Sequence, residues 1–418
     1  MSLEYKGTIK SNFFKGEAQL FVEEDSLRMD WLFDNEVIPY NHINEIYLND
    51  YKVVLDCREG NIEISRLGHS CDWFFKELGE VYNKKTLTAM SVKEEPLFRG
   101  RGNYAYEGKN GSCVLEIFED AFCILSEDAG GRRVPFVFIN GMVNQDYSLT
   151  FTLSTGESYR LFMMGRDFDP FEREIKSGIR ELQVRNKAFV KDLCNDLLGQ
   201  ELEMCGRLLP DGIAVSLQEI EEKIPALSTV LKGKIGNSKM KETFRVMMGV
   251  CDGSQTAVGI NRLSEEDFNK LVESLENERA ENAQAEGVQG AGEGAIELTE
   301  EELDALRWKI WAAVPSKDGS KAIVEFAFPD EAAATYVFEV KETWNSFLTV
   351  LNRGMEAVSL AREVISLSDE ELAGEKYANY QIAISRTPAL AQLRSAYEGK
   401  IIHRSLQSWQ EGLLKTLG

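Results

Sequence analysis

The first half of the chain contains two copies of one sequence pattern, separated by 95 to 97 residues. The identities keep the same order in both copies, and the offset changes only in loop-like stretches, where insertions are tolerated. The matched pairs are Gly16 with Gly111, Leu20 with Leu115, Glu24 with Glu119, Asp25 with Asp120, Pro39 with Pro135, Ile43 with Ile139, Asn44 with Asn140, Asp50 with Asp146, Tyr51 with Tyr147, Gly60 with Gly156, Gly68 with Gly165, Asp72 with Asp169, Phe74 with Phe171 and Glu77 with Glu174. We therefore expect one structural unit to be folded twice.

Each copy is predicted to consist of short strands followed by one helix. In copy one, apolar residues alternate through 18–22 and 27–31, which is the period of half-buried strands. A second predicted hairpin turns at Gly60, and its counterpart in copy two turns at Gly156. After these hairpins the apolar residues recur at helical spacing, which predicts a closing helix in each copy.

The copies resemble pleckstrin-homology domains, and specifically the GRAM-type branch of that superfamily. The resemblance is carried by Ile38-Pro39 with Ile43, by Val134-Pro135 with Ile139, and by the closing helix with its aromatic residue. It covers residues 3–85 and 98–183. It implies an α+β fold of tandem small antiparallel β-barrels, each closed by a C-terminal helix. Members of the superfamily bind phosphoinositides in some cases, whereas others bind peptides or proteins or serve as scaffolds.

The predicted domains are residues 1–92 for copy one and 96–186 for copy two, followed by a more helical α+β half. In the segment 187–275, Ser216 and Ser264 are predicted to begin helices, whereas 243–248 and 256–260 are predicted strands. Residues 276–298 lose the apolar period and become rich in Gly, Ala and Glu, which predicts a flexible acidic linker.

Residues 299–418 are predicted to contain strands and helices. Thr299 begins a helix with a capping-box pattern, strands are predicted at 309–314, 322–328 and 335–340, and a helix carries Phe347 and Leu351. That helix has the same apolar step as the two closing helices. One hypothesis is therefore a diverged third copy that spans the linker and includes 187–275. Helices are predicted around 368–384 and 388–417.

Charge and cysteine content restrict the class of protein. The 47 basic and 69 acidic residues give a net charge of −22, which disfavours nucleic-acid binding and broad attraction to anionic membranes. No uninterrupted apolar stretch approaches the length of a membrane span. The seven cysteines form no C-x-x-C pair, which favours buried thiols over a disulfide framework or a metal site and predicts a cytoplasmic location.

The sequence predicts no catalytic centre, no metal site and no cofactor. The three histidines belong to no metal-binding motif. Gly68-His69-Ser70-Cys71-Asp72 begins like a nucleophile elbow but ends in Asp72 where that turn requires glycine. Copy two keeps the glycine and the aspartate at Gly165 and Asp169 and drops the reactive residues, so the retained residues are predicted to serve as turn and cap.

Four arginines are the best candidates for binding an anion or a partner. Arg99 and Arg101 are predicted on the first strand of copy two, and Arg132 and Arg133 follow Gly130-Gly131 in a hairpin turn. If the strands place them together they form a basic cluster. The alternative is a solvated turn with scattered salt bridges.

The leading functional hypothesis is a non-enzymatic protein-interaction or scaffold protein built from tandem pleckstrin-homology-like modules. Strand edges or the groove beside a closing helix would accept a peptide or protein, and the acidic balance favours partners with basic surfaces. The alternative is a peripheral membrane or inositol-phosphate-binding protein that uses the four arginines. An enzyme with scattered carboxylates at a domain junction is a third hypothesis. The oligomeric state and the identity of the partner are left open.

Overall fold

A computed structural model of the protein describes residues 4–92, 95–128, 130–285 and 298–417. The chain divides into two compact units. Unit 1 comprises Met1–Leu182 and Arg353–Arg394, and unit 2 comprises Gln183–Asn352 and Ser395–Gly418. Helices and strands are mixed, and the described strands form three antiparallel sheets. This confirms the predicted α+β class. No described helix is long and apolar enough to cross a membrane.

Copy one forms a seven-stranded sheet followed by a helix. Its strands are β1 (Glu4–Lys10), β2 (Lys15–Val22), β3 (Ser26–Trp31), β4 (Asp34–Pro39), β5 (Ile43–Asn49), β6 (Lys52–Cys57) and β7 (Gly60–Ser65), and the helix is α1 (Cys71–Ala89). The sheet order is β4-β3-β2-β1-β7-β6-β5. Alternate strand residues and the inner face of α1 form one core, which includes Leu20, Phe74 and Leu78.

Copy two forms a second sheet with the same order. Its strands are β8 (Phe98–Tyr106), β9 (Lys109–Ile117), β10 (Ala121–Ser126), β11 (Arg132–Pro135), β12 (Ile139–Gln145), β13 (Ser148–Leu153) and β14 (Ser158–Phe162), and the helix is α2 (Phe168–Leu193). The order β11-β10-β9-β8-β14-β13-β12 matches that of copy one strand for strand. The predicted hairpins and helices of both copies are thus confirmed.

Neither sheet closes into a barrel, so this part of the prediction is wrong. The edge strands β4 and β5 are not hydrogen-bonded to each other among the described pairs, and neither are β11 and β12. The reason is a short 3-10 turn between each pair, Tyr40–His42 in copy one and Phe136–Phe138 in copy two. Each turn bonds back to the preceding loop, where the carbonyls of Asp25 and Asp120 accept from the first residue of the turn.

Unit 2 contains the third sheet, and the chain has twelve further described helices. The strands are β15 (Val215–Ser216), β16 (Ala257–Arg262), β17 (Trp308–Pro315), β18 (Lys321–Ala327), β19 (Ala334–Glu339) and β20 (Tyr397–Ile402), and the helices are α3 (Gly199–Leu208), α4 (Leu217–Lys223), α5 (Pro225–Gly236), α6 (Lys241–Val250), α7 (Glu265–Ala285), α8 (Glu300–Leu306), α9 (Trp344–Ala357), α10 (Glu363–Ser366), α11 (Asp369–Leu372), α12 (Ala378–Arg386), α13 (Pro388–Ala396) and α14 (Leu406–Leu417). The strands lie in the sheet in chain order, unlike those of the first two sheets. This order does not favour a third copy.

Several predicted elements of the second half are confirmed. The hydroxyls of Ser216, Ser264 and Thr299 accept hydrogen bonds from backbone amides at the starts of α4, α7 and α8. The predicted strands around 309–314, 322–328 and 335–340 correspond to β17, β18 and β19, and α9 follows them as expected.

Three predictions for this half are corrected. Residues 243–248 lie in helix α6, and its buried side chains, Thr243 and Met247, are four residues apart, as expected on one face of a helix. The predicted linker begins too early, since α7 continues through Ala285, and residues 286–297 lie outside the described ranges. The helix predicted over 388–417 is interrupted by β20, which pairs with β19 at the edge of the third sheet.

The C-terminal part of unit 1 packs on the same corner of both copies. In copy one, Gln381 accepts a hydrogen bond from Asn41 (2.6 Å), beside the 3-10 turn. Arg386 donates to the carbonyl of Asn44 (2.8 Å) and to the hydroxyl of Tyr82 (2.7 Å). In copy two, Arg353 donates to the carbonyl of Arg133 (2.8 Å). Residues 353–394 therefore complete both modules of unit 1.

Candidate interaction surfaces

Arg133, one of the four predicted site residues, lies in a buried ion-pair network. Its guanidinium contacts Asp120 (2.7 Å) and Glu356. Arg353 donates to the other oxygen of Glu356 (2.6 Å). Burial alone would raise the pKa of Glu356, but Arg133 and Arg353 outweigh burial and hold that pKa below its ordinary value. An external anion would have to displace two carboxylates to reach Arg133.

Arg132 also makes internal contacts. It donates to the carbonyls of Gly130 and Gly131, both at 3.0 Å, and its guanidinium lies 5.4 Å from the ring centroid of Tyr106. These bonds hold the side chain against its own turn. Arg132 is therefore a turn-stabilising residue in this arrangement.

Arg99 and Arg101 lie on β8, as predicted, and their side chains are exposed. Arg99 on β8 pairs with Glu116 on β9, and Arg133 lies in the same row two strands beyond, on β11. Two strands therefore separate Arg99 from Arg133, and the arginines do not form one cluster. Arg99 lies 3.4 Å from Glu116, and burial raises the pKa of that carboxyl although Arg99 opposes the shift.

Arg101 borders a cavity of about 530 Å³ between α1 and the strands of copy two. Lys76 and Arg166 supply further positive charge, but Glu80, Glu127 and Asp167 line the same space. The charges balance, so the cavity does not concentrate positive potential in the way a phosphate site requires. The inositol-phosphate alternative keeps only the two exposed arginines of the predicted four.

The elbow-like segment of copy one forms a turn. Gly68 and Gly165 both have positive φ, 60° and 54°, and each opens a 3-10 turn that leads into the closing helix. A side chain at either position would be strained, which explains why both copies keep glycine. The predicted turn role of these glycines is confirmed.

A buried polar group that the sequence analysis missed lies in unit 2. Glu325 is completely buried, Thr335 donates a hydrogen bond to it, and Nε2 of His403 lies 3.3 Å from its Oε1. The same Nε2 lies 2.9 Å from the hydroxyl of Thr335, which also accepts from Trp409 (2.7 Å). A catalytic triad needs the acid and the nucleophile on opposite ring nitrogens, so this geometry is not a triad. The signal in the sequence was one glutamate within the apolar run of β18.

The described part of the chain contains no group of three or more His, Cys, Asp or Glu side chains that could hold a metal ion. All seven cysteines are free and buried. Burial raises the pKa of the Cys57 and Cys113 thiols to about 12 and that of the Cys205 and Cys251 thiols to about 11. These thiols are therefore protonated at neutral pH and poorly reactive in the folded protein.

An exposed apolar surface lies at one end of copy one. We call it the copy-one tip, and it consists of the β1–β2 turn (11–14) and the β3–β4 turn (32–33). Phe13, Leu32 and Phe33 are exposed by 42, 84 and 91%. Turns are normally polar, and clustered exposed apolar side chains usually mark an interaction site.

Aromatic packing joins the two turns of the copy-one tip. The rings of Phe14 and Trp31 stack with centroids 4.1 Å apart, which joins the two turns. Phe14 also covers Gly16, where an added Cβ would lie 2.8 Å from the ring. The amide of Asn12 donates to the carbonyl of Glu59 (2.7 Å), so the β6–β7 turn supports the same end. The exposed side chains therefore lie on turns that are packed against each other.

The corresponding end of copy two is in contact with copy one. We call its β8–β9 turn (107–108) and the described part of its β10–β11 turn (127–128 and 130–131) the copy-two tip. The carbonyls of Ser126 and Asp128 accept from Asn83 (2.8 Å) and from the amide of Ile46 (3.3 Å). Lys109 pairs with Glu45. The copy-two tip thus docks on β5 and α1 of copy one.

Close packing accompanies these bonds. A Cβ added to Gly79 of α1 would lie 3.0 Å from the carbonyl oxygen of Glu127, so the helix approaches the turn backbone closely. Within this chain, one tip of the repeated unit already serves as a docking element.

Comparison with known families adds no further assignment. No protein-family model matches the chain. A comparison with curated proteins also gives no significant match.

Proposed function

We propose that the protein is a non-enzymatic interaction or scaffold protein, and that the copy-one tip is a surface through which it binds a partner. The observation that carries this proposal is the exposure of Phe13, Leu32 and Phe33 on two turns that the stack of Phe14 and Trp31 joins. Complete burial of one Leu or Phe side chain contributes roughly 1.5–3 kcal/mol. Aromatic anchors held in place before binding lose little conformational entropy and so bind efficiently.

The arrangement of copy two supports the same role for the tip. The copy-two tip docks on a strand edge and a helix of copy one. Asn83 and the amide of Ile46 in copy one bond to it, and Lys109 of copy two pairs with copy one. The copy-one tip has the same position in the repeated unit but makes no such contact among the described residues, and it carries apolar side chains. Because the equivalent surface docks in copy two, we expect the tip of copy one to be a docking surface as well.

The two modules are proposed to be pleckstrin-homology-like. What supports this is the shared order of seven antiparallel strands and the amphipathic helix that follows the last strand in each copy. Peptide and protein recognition is one of the functions found among such modules, and it requires no reactive centre.

The test is affinity capture with the full-length protein from an extract of its source cells, followed by quantitative mass spectrometry. The variant Leu32→Ser/Phe33→Ser should lose the captured partner. A matched control, Leu198→Ser/Ile402→Ser, removes two side chains that are 70 and 61% exposed in unit 2, and it should retain the partner. Equal capture by wild type and tip variant would refute the proposal, provided that both give the same thermal unfolding curve.

A further inference from the structure

We propose that the copy-one tip binds a second copy of this chain, on the face formed by β12 and the first half of α2. This inference rests on the proposed function, because it identifies the partner of the same surface. It predicts a head-to-tail contact in which one chain provides the tip and the next provides the face.

The contact inside each chain is the template for this inference. The copy-two tip lies on β5 and α1, and its contacts include the amide of Ile46, the side chain of Asn83 and the carboxylate of Glu45. In the repeat, β12 and α2 are the counterparts of β5 and α1. Every chain therefore carries two faces of this kind, of which one is already occupied by its own tip.

The second face is open to solvent. Arg180 on α2 is exposed, whereas its counterpart Asn83 is buried and bonded to the copy-two tip. Val143 on β12 is 58% exposed and Tyr147 in the following turn is 78% exposed, and Tyr51, the counterpart of Tyr147, is 79% exposed in copy one as well. On α2 the side chains of Arg173 and Lys176 are 70 and 52% exposed. Strand β12 is also an edge strand of its sheet, so its outer side can accept a docking partner.

The free tip is expected to contact this face differently from the way in which the copy-two tip contacts copy one. The copy-two tip is polar and rich in glycine, and it reaches α1 closely at Gly79. Lys176 occupies the position of Gly79 in α2, which blocks an equally close backbone approach. The copy-one tip can pack through long side chains instead, with Leu32 and Phe33 against Val143 and Tyr147.

Charge favours the tip as the place where two such chains meet. Each chain carries a net charge of −22, so most surfaces of two copies repel one another. At the tip Lys10, Lys15 and Arg58 stand beside Asp34 and Glu59, and neither sign dominates. Because salt screens the overall repulsion and does not weaken apolar packing, added salt should strengthen the association.

The geometry has a consequence for assembly size. Each chain offers one tip and one face on different modules, so the contact is heterologous and is not limited to two chains. Assembly should continue with concentration beyond the dimer, as a closed ring or an open string.

The experiment is sedimentation velocity of the full-length protein at protein concentrations rising from about 1 μM to about 500 μM. The average mass of the wild type should rise from 47.2 kDa past twice that value. The tip variant Leu32→Ser/Phe33→Ser and the face variant Val143→Asp/Tyr147→Asn should each remain monomeric. Asparagine is chosen at position 147 because φ is +54° there, which asparagine tolerates.

Mixing the two variants gives the decisive measurement. The tip variant retains its face and the face variant retains its tip, so an equimolar mixture should form one-to-one pairs that grow no further. The control Leu198→Ser/Ile402→Ser should assemble like the wild type. A monomeric wild type at every concentration, unchanged assembly of either variant, or a mixture that does not pair would overturn the inference. If the wild type is monomeric but captures another protein through the tip, the proposed function stands and only the identity of the partner fails.

Discussion

Phe14 and Trp31 lie parallel to each other, with 9° between their ring planes and 4.1 Å between their centroids. The two residues come from different hairpins of copy one, and Gly16 leaves the space that Phe14 occupies. This stack makes two separate turns behave as one surface. The exposed side chains of the copy-one tip therefore depend on a pair that is itself largely covered.

Replacement of Trp31 by alanine should loosen the copy-one tip without removing its exposed residues. An aromatic pair contributes about 0.5–1.5 kcal/mol beyond the area it buries. We expect faster hydrogen exchange in residues 11–15 and 32–35 by mass spectrometry, together with weaker self-association. The variant Trp73→Ala is the control, because Trp73 is 68% exposed on α1. Unchanged exchange at both turns in Trp31→Ala would show that the stack does not hold them.

Glu356→Gln should strongly destabilise unit 1. The substitution leaves Arg133 and Arg353 buried without their shared carboxylate, and breaking a buried ion pair in this way costs about 3–5 kcal/mol. Denaturant unfolding followed by circular dichroism measures the loss. The control is Glu266→Gln, which breaks an exposed pair with Lys270 and should have a small effect. Similar midpoints for the two variants would contradict the structural role of the network.

The carboxyl of Glu356 should also make the stability of the folded protein depend on pH. The pKa of Glu356 is lowered in the folded protein, so its stabilising effect is present above its ordinary value of 4.5 and is lost as the pH falls through the lowered pKa. The wild type should consequently approach the stability of Glu356→Gln in acid. A constant difference between the two proteins from pH 7 to acid pH would contradict this.

Glu116→Gln should have the opposite effect. Burial raises the pKa of this carboxyl, so the contribution of Glu116 to stability is most favourable below its ordinary pKa of 4.5 and is lost as the pH rises through the raised pKa. The glutamine variant carries no charge and should unfold at a higher temperature than the wild type at pH 7, with no advantage in acid. Glu17→Gln, on an exposed side chain, should behave like the wild type at both pH values. A lower melting temperature of Glu116→Gln at pH 7 would show that the pair with Arg99 outweighs burial.

Gly259→Ala should destabilise the third sheet. Gly259 pairs with Trp311 across β16 and β17, and an added Cβ would lie 2.1 Å from the indole. Overpacking of this kind costs about 1–3 kcal/mol or more. The control Gly249→Ala lies in helix α6 with nothing within 4 Å of the added atom, and it should stabilise the protein by about 0.5–1 kcal/mol. Thermal unfolding of both variants measures the two effects. An unchanged melting temperature of Gly259→Ala would show that Trp311 can move aside.

The repeat made most of unit 1 predictable. Identities such as Gly60 with Gly156 place the same turn in both copies, and the apolar period after each hairpin identifies the closing helices. The missed strands of copy one include β4, a short edge strand in which only Ile38 is buried. Edge strands lack the full alternation of a half-buried strand, so pattern alone identifies them poorly.

The second half was less predictable because short apolar runs are ambiguous. Residues 243–248 contain several apolar side chains in succession, and only the fold shows that Thr243 and Met247 share a helical face. Nothing in the local pattern of α12 indicates that Gln381 and Arg386 return to copy one, because long-range hydrogen bonds leave no periodic signal.

The apolar character of the candidate surface is visible in the sequence. Trp31, Leu32 and Phe33 continue an apolar run through a turn, where polar residues or glycine are usual. The internal contacts of the predicted arginines are not visible in the local sequence. Arg132 and Arg133 look solvated in a glycine-rich turn, but the partner of Arg133 is Glu356, which is far away in the chain.

Residues 353–394 complete both modules of unit 1, and a ribosome makes them well after it has finished α1 and most of α2. At bacterial or eukaryotic elongation rates the intervening segment takes roughly 10 to 30 s to synthesise. During that interval the nascent modules lack the hydrogen bond from Arg386 to Tyr82 in copy one and the hydrogen bond from Arg353 to Arg133 in copy two. Translational pausing between positions 182 and 353 would therefore prolong the time in which chaperones, rather than the chain itself, must shield the two corners.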